Sequence, residues 1–210
     1  MNIQTQRKEL FEELKRFGIH DIAILKAMKT VPREKFIPKN YQYLAYADHP
    51  IPIGSDATIS QPLVIAMMLQ ELQLKEGMHV LEIGSGSGYV VALIQNIVGK
   101  KGQITGIEIA PELVIESKET LKSIKIPATI IGDDGSKGYK KNAPYDRILM
   151  SCSCEKVPQI LFEQLKEEGI LVAPVGNWLW QTLTTFRKKK KQIIKESGEL
   201  VRFLPLRQKD

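Results

Sequence analysis

The chain is poor in cysteine: Cys152 and Cys154 are the only two among 210 residues. Two thiols this close and this few exclude the disulfide framework of a small secreted domain. Long hydrophobic runs are missing too. None approaches the ~18 consecutive apolar residues of a transmembrane helix. The charged start, Met1-Asn-Ile-Gln-Thr-Gln-Arg-Lys-Glu-Leu10, has no signal-peptide h-region. No internal repeat or low-complexity segment interrupts the chain. These absences argue against a membrane partner and lead us to expect a cytoplasmic protein.

Aromatics are absent where a nucleic-acid groove would want them. The formal charge is +6, from 30 Lys and Arg against 24 Asp and Glu. Much of the excess lies in Arg187-Lys-Lys-Lys-Lys191, between two strand-like runs. Single-strand grooves interleave basic residues with aromatic platforms, and this run has none. We read it as a solvated hairpin turn and expect no nucleic-acid partner.

What is present is an ordinary globular balance, 43% hydrophobic, in a length that suits one domain with a sizeable core. Residues 4–29 carry apolar residues at helical spacing, with Leu10, Phe11, Leu14 and Phe17 on one stripe. Gly18 ends that helix and a second runs from Asp21 to Met28. Val31-Pro-Arg-Glu-Lys-Phe-Ile-Pro38 is irregular, and His49-Pro-Ile-Pro-Ile-Gly54 is extended and turn-rich. Gln61 to Leu72 reads as a helix with Pro62 in its first turn. Strands are then expected near 78–83, 103–108, 128–132 and 146–151, and helices near 88–98, 111–123 and 158–165. This alternation predicts an α/β fold: a doubly wound, mostly parallel Rossmann-like sheet with helices on both faces. Residues 169–175 form a further strand, and Leu179 to Phe186 with Gln192 to Leu204 form an antiparallel pair. The expected organisation is one domain: a helical cap and substrate-side segment (1–60), an α/β core (61–176) and C-terminal antiparallel strands (177–210).

The most informative stretch is Val80-Leu-Glu-Ile-Gly-Ser-Gly-Ser-Gly-Tyr89. Gly84, Gly86 and Gly88 alternate with Ser85 and Ser87 between a strand and a helix, so a ligand can approach the backbone closely. A dinucleotide fingerprint would place its third glycine three after the second, where Tyr89 stands. A Walker loop would end in Gly-Lys-Ser/Thr, which is absent. The arrangement strand-E-x-G-x-G-x-G instead resembles S-adenosylmethionine-dependent methyltransferases. Glu82 can hold the amino-acid end of that cofactor. Glu108, at the end of the next strand and followed by Ile109, can grip the ribose hydroxyls. Gly132-Asp-Asp-Gly135 can offer a carboxylate to the adenine amino group, either from Asp133 or from Asp134 beside Gly135.

Further stretches narrow the resemblance. Val31 to Pro38, Tyr46-Ala-Asp48, Ala57-Thr-Ile-Ser-Gln-Pro62, Ala143-Pro-Tyr-Asp146 and Leu171-Val-Ala-Pro-Val-Gly176 closely resemble protein-L-isoaspartate O-methyltransferases across nearly the whole chain. The resemblance implies methyl transfer from S-adenosylmethionine to the α-carboxylate of an L-isoaspartyl residue, giving S-adenosylhomocysteine and an ester that closes to a succinimide. It implies isoaspartyl proteins and peptides as partners, no metal, and a monomer. A carboxylate is already ionised near neutral pH, which accounts for the lack of an obvious base. Ser60 matches the family's active-site serine. It could orient the carboxylate, cap the helix that follows, or do both. Ala57, Thr58 and Ile59 would line the junction of cofactor and substrate, and Gln181 matches a glutamine in the cofactor region. Ser151-Cys-Ser-Cys154 stands where the family has small residues, and packing is the expected role. A rival reading is a DNA or RNA methyltransferase. Asn142-Ala-Pro-Tyr145 is superficially like an Asn-Pro-Pro-Tyr signature, but it has alanine at the second position and precedes the fourth strand. A second rival is a non-catalytic cofactor-binding protein of the same fold.

Overall fold

A computed structural model of the chain describes residues 3–209. Helix α1 (Ile3–Arg16) buries Leu10, Phe11 and Leu14. Phe17 does not join that stripe: the chain turns at Gly18 just past the helix, and the ring stays exposed. Helix α2 (Ile22–Thr30) starts at Asp21, whose carboxylate accepts from the Ala23 and Ile24 amides at 2.7 and 3.2 Å, two of the orphan donors of a helix start. The segment read as merely extended is a small hairpin of β1 (Ile51–Gly54) and β2 (Ala57–Ile59). Its turn residues, Ser55 and Asp56, both have positive φ.

The core follows as α3 (Pro62–Leu72), β3 (His79–Ile83), α4 (Tyr89–Val98), β4 (Gln103–Glu108), α5 (Pro111–Ser123), β5 (Thr129–Gly132), β6 (Tyr145–Met150), α6 (Gln159–Gln164), β7 (Leu165–Gly176), β8 (Gln181–Lys189) and β9 (Gln192–Val201). Seven strands form one sheet in the order β5-β4-β3-β6-β7-β8-β9. Strands β3 to β7 are parallel, while β8 and β9 continue the sheet antiparallel. The chain thus moves outward from β3 to β5 and returns on the other side at β6. The crevice at the carboxyl ends of β3 and β6 is the topological switch point where such sheets bind ligands.

Strand alternation sorts the core into two layers. Leu149, Ile170 and Val172 pack with α3, α4 and the N-terminal helices. Their neighbours Ile148, Met150, Leu171 and Ala173 pack with Leu161 of α6. Both faces of the central strands are therefore covered, so the strand runs carry no polar alternation. At the amino ends of the parallel strands, Asp146 accepts from the His79 amide at 2.7 Å and pairs with Lys166 Nζ at 2.9 Å. Three strands are tied at that edge. The basic turn lies there too, since Lys190 and Lys191 connect β8 to β9 beyond the start of β7. Lys188 is engaged, donating to the Phe162 and Leu165 carbonyls at 2.7 Å.

Candidate active site

Beyond Ile83 the backbone turns through Gly84, Gly86 and Gly88 at φ of 75°, 52° and 83°, a region that side chains with a Cβ adopt only under strain. The Gly84 and Ser85 amides donate to the Ile107 carbonyl at 2.9 and 3.0 Å, tying the loop to β4. Glu108 completes the bracing. One carboxylate oxygen accepts from the Gly86 amide at 2.8 Å, and the other accepts from the Ile109 and Ala110 amides at 2.8 and 2.9 Å. A residue expected to grip a ligand is thus also a buried brace for the loop.

Glu82 is placed differently. It is fully buried, and one oxygen accepts from the Ser151 hydroxyl at 2.6 Å. The other oxygen has no partner, nor has the buried Ser85 hydroxyl. Burial, together with the charge of Glu108 and despite the Ser151 hydrogen bond, pushes the Glu82 carboxyl up to about 8. An unpaired buried carboxylate oxygen is costly. Glu82 lines a recess of about 40 Å³ together with Thr58, Ser60, Ser85 and Ser87. A donor entering that recess would relieve it.

The recess adjoins a larger cavity of about 820 Å³ at the switch point. Ala57, Thr58, Ser60, Gly84, Gly86, Glu108, Ile109, Gly135 and Gln181 all line it. Ile59, Glu82, Ser85 and Ser87 reach only the recess. Three residues singled out in the sequence line neither. Gly88 starts α4 and packs against Ser117 and Leu121 of α5. Asp133 is half exposed and pairs with Lys209 Nζ at 2.9 Å. Asp134 is buried beside Gly135, accepting from the Ser136 amide at 2.9 Å and the Lys209 amide at 3.3 Å.

Ser60 does not cap α3. That task falls to Asp48, which accepts from the Leu63 amide at 2.8 Å and from the Gln61 side chain at 3.2 Å. Ser60 lines the cavity, and its carbonyl accepts from Arg33 Nη2 at 2.8 Å. Arg33 is fully buried, its Nε donates to the Ala45 carbonyl at 2.9 Å, and its guanidinium lies 5.1 Å from the centre of the Tyr89 ring. One guanidinium therefore joins the cap, the serine segment and the first turn of α4.

The far wall is the C-terminal tail, which carries no sequence motif. The Gln181 side-chain amide accepts from the Phe203 amide at 2.7 Å and donates to its carbonyl at 3.1 Å. Ser153 pairs through its backbone with Leu204 and Leu206 at 2.8 Å. Residues 200–207 thereby close one side of the cavity. Among the described residues no group of three or more His, Cys, Asp or Glu could hold a metal ion.

Comparison with known proteins gives this geometry a family. The family described as protein-L-isoaspartate(D-aspartate) O-methyltransferase matches residues 5–210. The chain belongs to the protein-L-isoaspartate O-methyltransferase family. A protein-L-isoaspartate O-methyltransferase from Fervidobacterium nodosum is 44% identical over 94% of this chain and 99% of its own. A solved Plasmodium falciparum structure, titled a putative protein-L-isoaspartate O-methyltransferase in complex with S-adenosyl-L-homocysteine, superposes with a TM-score of 0.86. It is 30% identical, and the match covers 97% of this chain and 99% of that one. Another solved protein-L-isoaspartate O-methyltransferase superposes with a TM-score of 0.87 at 31% identity, and this chain spans 65% of its length. Most of the stretches that carry the resemblance to protein-L-isoaspartate O-methyltransferases converge on the cavity, whereas Ala143 to Asp146 lies at the opposite, amino end of the parallel strands. Arg33, Asp48, Ser60 and the glycine loop all bear on one cavity. Cys152 lines it as well, its thiol pushed up by burial into an inert state.

Proposed function

We propose that this chain transfers the methyl group of S-adenosylmethionine to the α-carboxylate of L-isoaspartyl residues in damaged polypeptides, so that the ester closes to a succinimide and repair begins. The carrying observation is that Thr58 and Ser60 line both the large cavity and the recess that Glu82 lines. Glu82 would hold one end of a cofactor there, within reach of the cavity that Ser60 lines.

The residues present fit such a cofactor. Glu82 would take the amino group, which supplies the donor its free oxygen lacks. Glu108 would hold the ribose hydroxyls while the loop amides fix its carboxylate. On the adenine side, Asp134 rather than the half-exposed Asp133 would be the relevant aspartate, acting by fixing the backbone at the cavity-lining Gly135. Gln181 would act through the tail it clamps. When bound, S-adenosylmethionine supplies a methyl group made electrophilic by its sulfonium.

The chain's own part is alignment. The acceptor carboxylate arrives ionised, so no base is needed. The Ser60 hydroxyl, released from helix capping by Asp48, donates to that carboxylate and orients it. Arg33 fixes the Ser60 backbone so that the hydroxyl stays in place. The tail and the β1–β2 hairpin exclude water from the reacting pair, and holding reactants in line is worth several kcal/mol of barrier.

We further infer that residues 1–60, 61–176 and 177–210 work as one domain, as a monomer in the cytoplasm, on polypeptide and not on nucleic acid. Supporting this, the basic turn lies at the sheet edge away from the cavity. No described helix is long and apolar enough to cross a membrane.

Labelled methyl incorporation into an isoaspartyl peptide, with the matching aspartyl peptide as control, tests the reaction. Label in both peptides removes the specificity, and label only in RNA or DNA overturns the reading. Ser60→Ala is expected to lower kcat on the order of tenfold or more while S-adenosylhomocysteine still binds. Wild-type turnover would remove Ser60 from the reaction.

A further inference from the structure

The turn joining β7 to β8 holds three exposed apolar residues in a row. Trp178, Leu179 and Trp180 are 74%, 59% and 69% exposed. The chain has two tryptophans, and both are here. The turn is tightly built. The Asn177 side chain accepts from the Leu179 and Trp180 amides, both at 2.9 Å. Gly176 sits at φ 150°, and a Cβ there would come within 1.9 Å of the Trp180 carbonyl oxygen. The backbone is therefore locked in a form that holds two indoles in water. Among the described residues neither ring packs on another aromatic or under a cation. Large exposed apolar patches of this kind mark interaction surfaces.

Position identifies what the patch meets. The turn follows the carboxyl end of β7, at the same sheet edge as the glycine loop. Leu179 and Trp180 line the cavity that Ser60 and Ala57 line, and exposed Leu200 continues the patch along the rim. Arg202 and Arg207 line the same cavity; Arg207 is held by the Ser55 carbonyl and by Glu108, and the exposed Arg202 supplies a charge that matches an incoming carboxylate. A substrate chain must place its isoaspartyl carboxylate beside Ser60 while its flanking residues cross this rim. We propose that the 178–180 turn and Leu200 form a docking platform for apolar or aromatic side chains flanking the isoaspartyl residue, and so set which damaged sites are preferred. This rests on the isoaspartyl reading above.

The test measures the affinity of isoaspartyl hexapeptides by calorimetry in saturating S-adenosylhomocysteine, which reads the platform whether or not methyl transfer occurs. Labelled methyl incorporation into the alanine-flanked peptide reads the activity separately. Wild-type protein is expected to bind a phenylalanine-flanked peptide on the order of tenfold more tightly than the alanine-flanked one. In W178A/W180A that ratio is expected to fall below about twofold, with W178F/W180F restoring most of it. Because both rings are exposed, the melting temperature is expected to stay within a few degrees, which checks the fold. Equal affinity for the two peptides in wild type, or a ratio that persists in W178A/W180A, overturns the proposal. So does a concentration-dependent dimer that W178A/W180A abolishes, since the patch would then be a contact between copies of this chain.

Discussion

The two ends of the central strand pair β3 and β6 make opposite use of a carboxyl group, partly buried at one end and fully buried at the other. At the amino end, Asp146 has both oxygens engaged, by the His79 amide and Lys166. Burial alone would raise its pKa, but these partners outweigh burial and hold the carboxyl below its ordinary value. At the carboxyl end, Glu82 keeps one oxygen without a partner, and burial pushes it up to about 8. A strand pair needs the first arrangement to be stable and gains nothing from the second. The difference teaches that one edge of the sheet fastens the fold, while the other keeps an unsatisfied group that a ligand can complete.

Glu108 stands between these extremes, satisfied by the loop yet facing the cavity, and its loss is expected to have the largest effect. Glu108→Ala removes the acceptor for three backbone amides, a destabilisation of about 2–4 kcal/mol. It is also expected to weaken S-adenosylhomocysteine binding on the order of a hundredfold. Calorimetry beside a urea titration separates the two effects. Lost stability with unchanged affinity would leave Glu108 a brace only, on the side of Asp146.

Glu82→Gln is the next sharpest test. The free folded protein retains a proton that the unfolded chain releases between the ordinary value of 4.5 and about 8. Stability therefore falls as pH rises through that window and levels off above it. Glutamine carries no such penalty, so ligand-free E82Q is expected to melt on the order of 5 °C higher than wild type at pH 8, with the gain vanishing near pH 4.5. S-adenosylhomocysteine affinity is expected to move the other way, falling on the order of tenfold. Wild-type binding near neutral pH is expected to release a proton that E82Q does not, visible as a binding enthalpy that depends on the buffer. A Glu82→Gln protein that is no more stable at pH 8 would break the contrast.

What the sequence made legible follows from how local each feature is. The parallel strands and their helices stand within a residue or two of expectation, because apolar runs and βα alternation are written in consecutive residues. The glycine loop, Glu82 and Glu108 were readable for the same reason. The β1–β2 hairpin was not, since its turn is Ser55-Asp56 rather than a strong Asn-Gly signal. Nor was the start of β7. Residues 166–169 are charged or glycine, and the strand pairs there through its backbone across a register shift. The site's second half depends on distant partners: Arg33 reaches Ser60 across 27 residues, Gln181 reaches Phe203 across 22, and Lys209 reaches Asp133 across 76. Asp48 as the cap of α3 is likewise a contact at a distance. Motif and periodicity do not encode such pairings; Arg33, Asp48 and Gln181 stand out only through the family resemblance, which does not say what each one touches.

The smallest expected effect completes the comparison. Asp146 has a folded pKa below its ordinary value of 3.8, with burial opposed by the His79 amide and Lys166. Its contribution is therefore present above the unfolded value and is lost as pH falls through the folded one. Asp146→Asn keeps an oxygen for the His79 amide but removes the charge that faces Lys166, whose side chain is 38% exposed. The expected loss is about 1 kcal/mol at pH 7, discounted for that exposure. Urea titrations at pH 7 and near pH 3 read it: the wild-type and D146N midpoints should differ at the first and converge at the second. The same amide substitution, made at opposite ends of one strand pair, then changes stability in opposite directions: D146N lowers it and E82Q raises it. Equal signs would mean that Glu82 is fastened as Asp146 is, and that the carboxyl edge of the sheet holds no group reserved for a ligand.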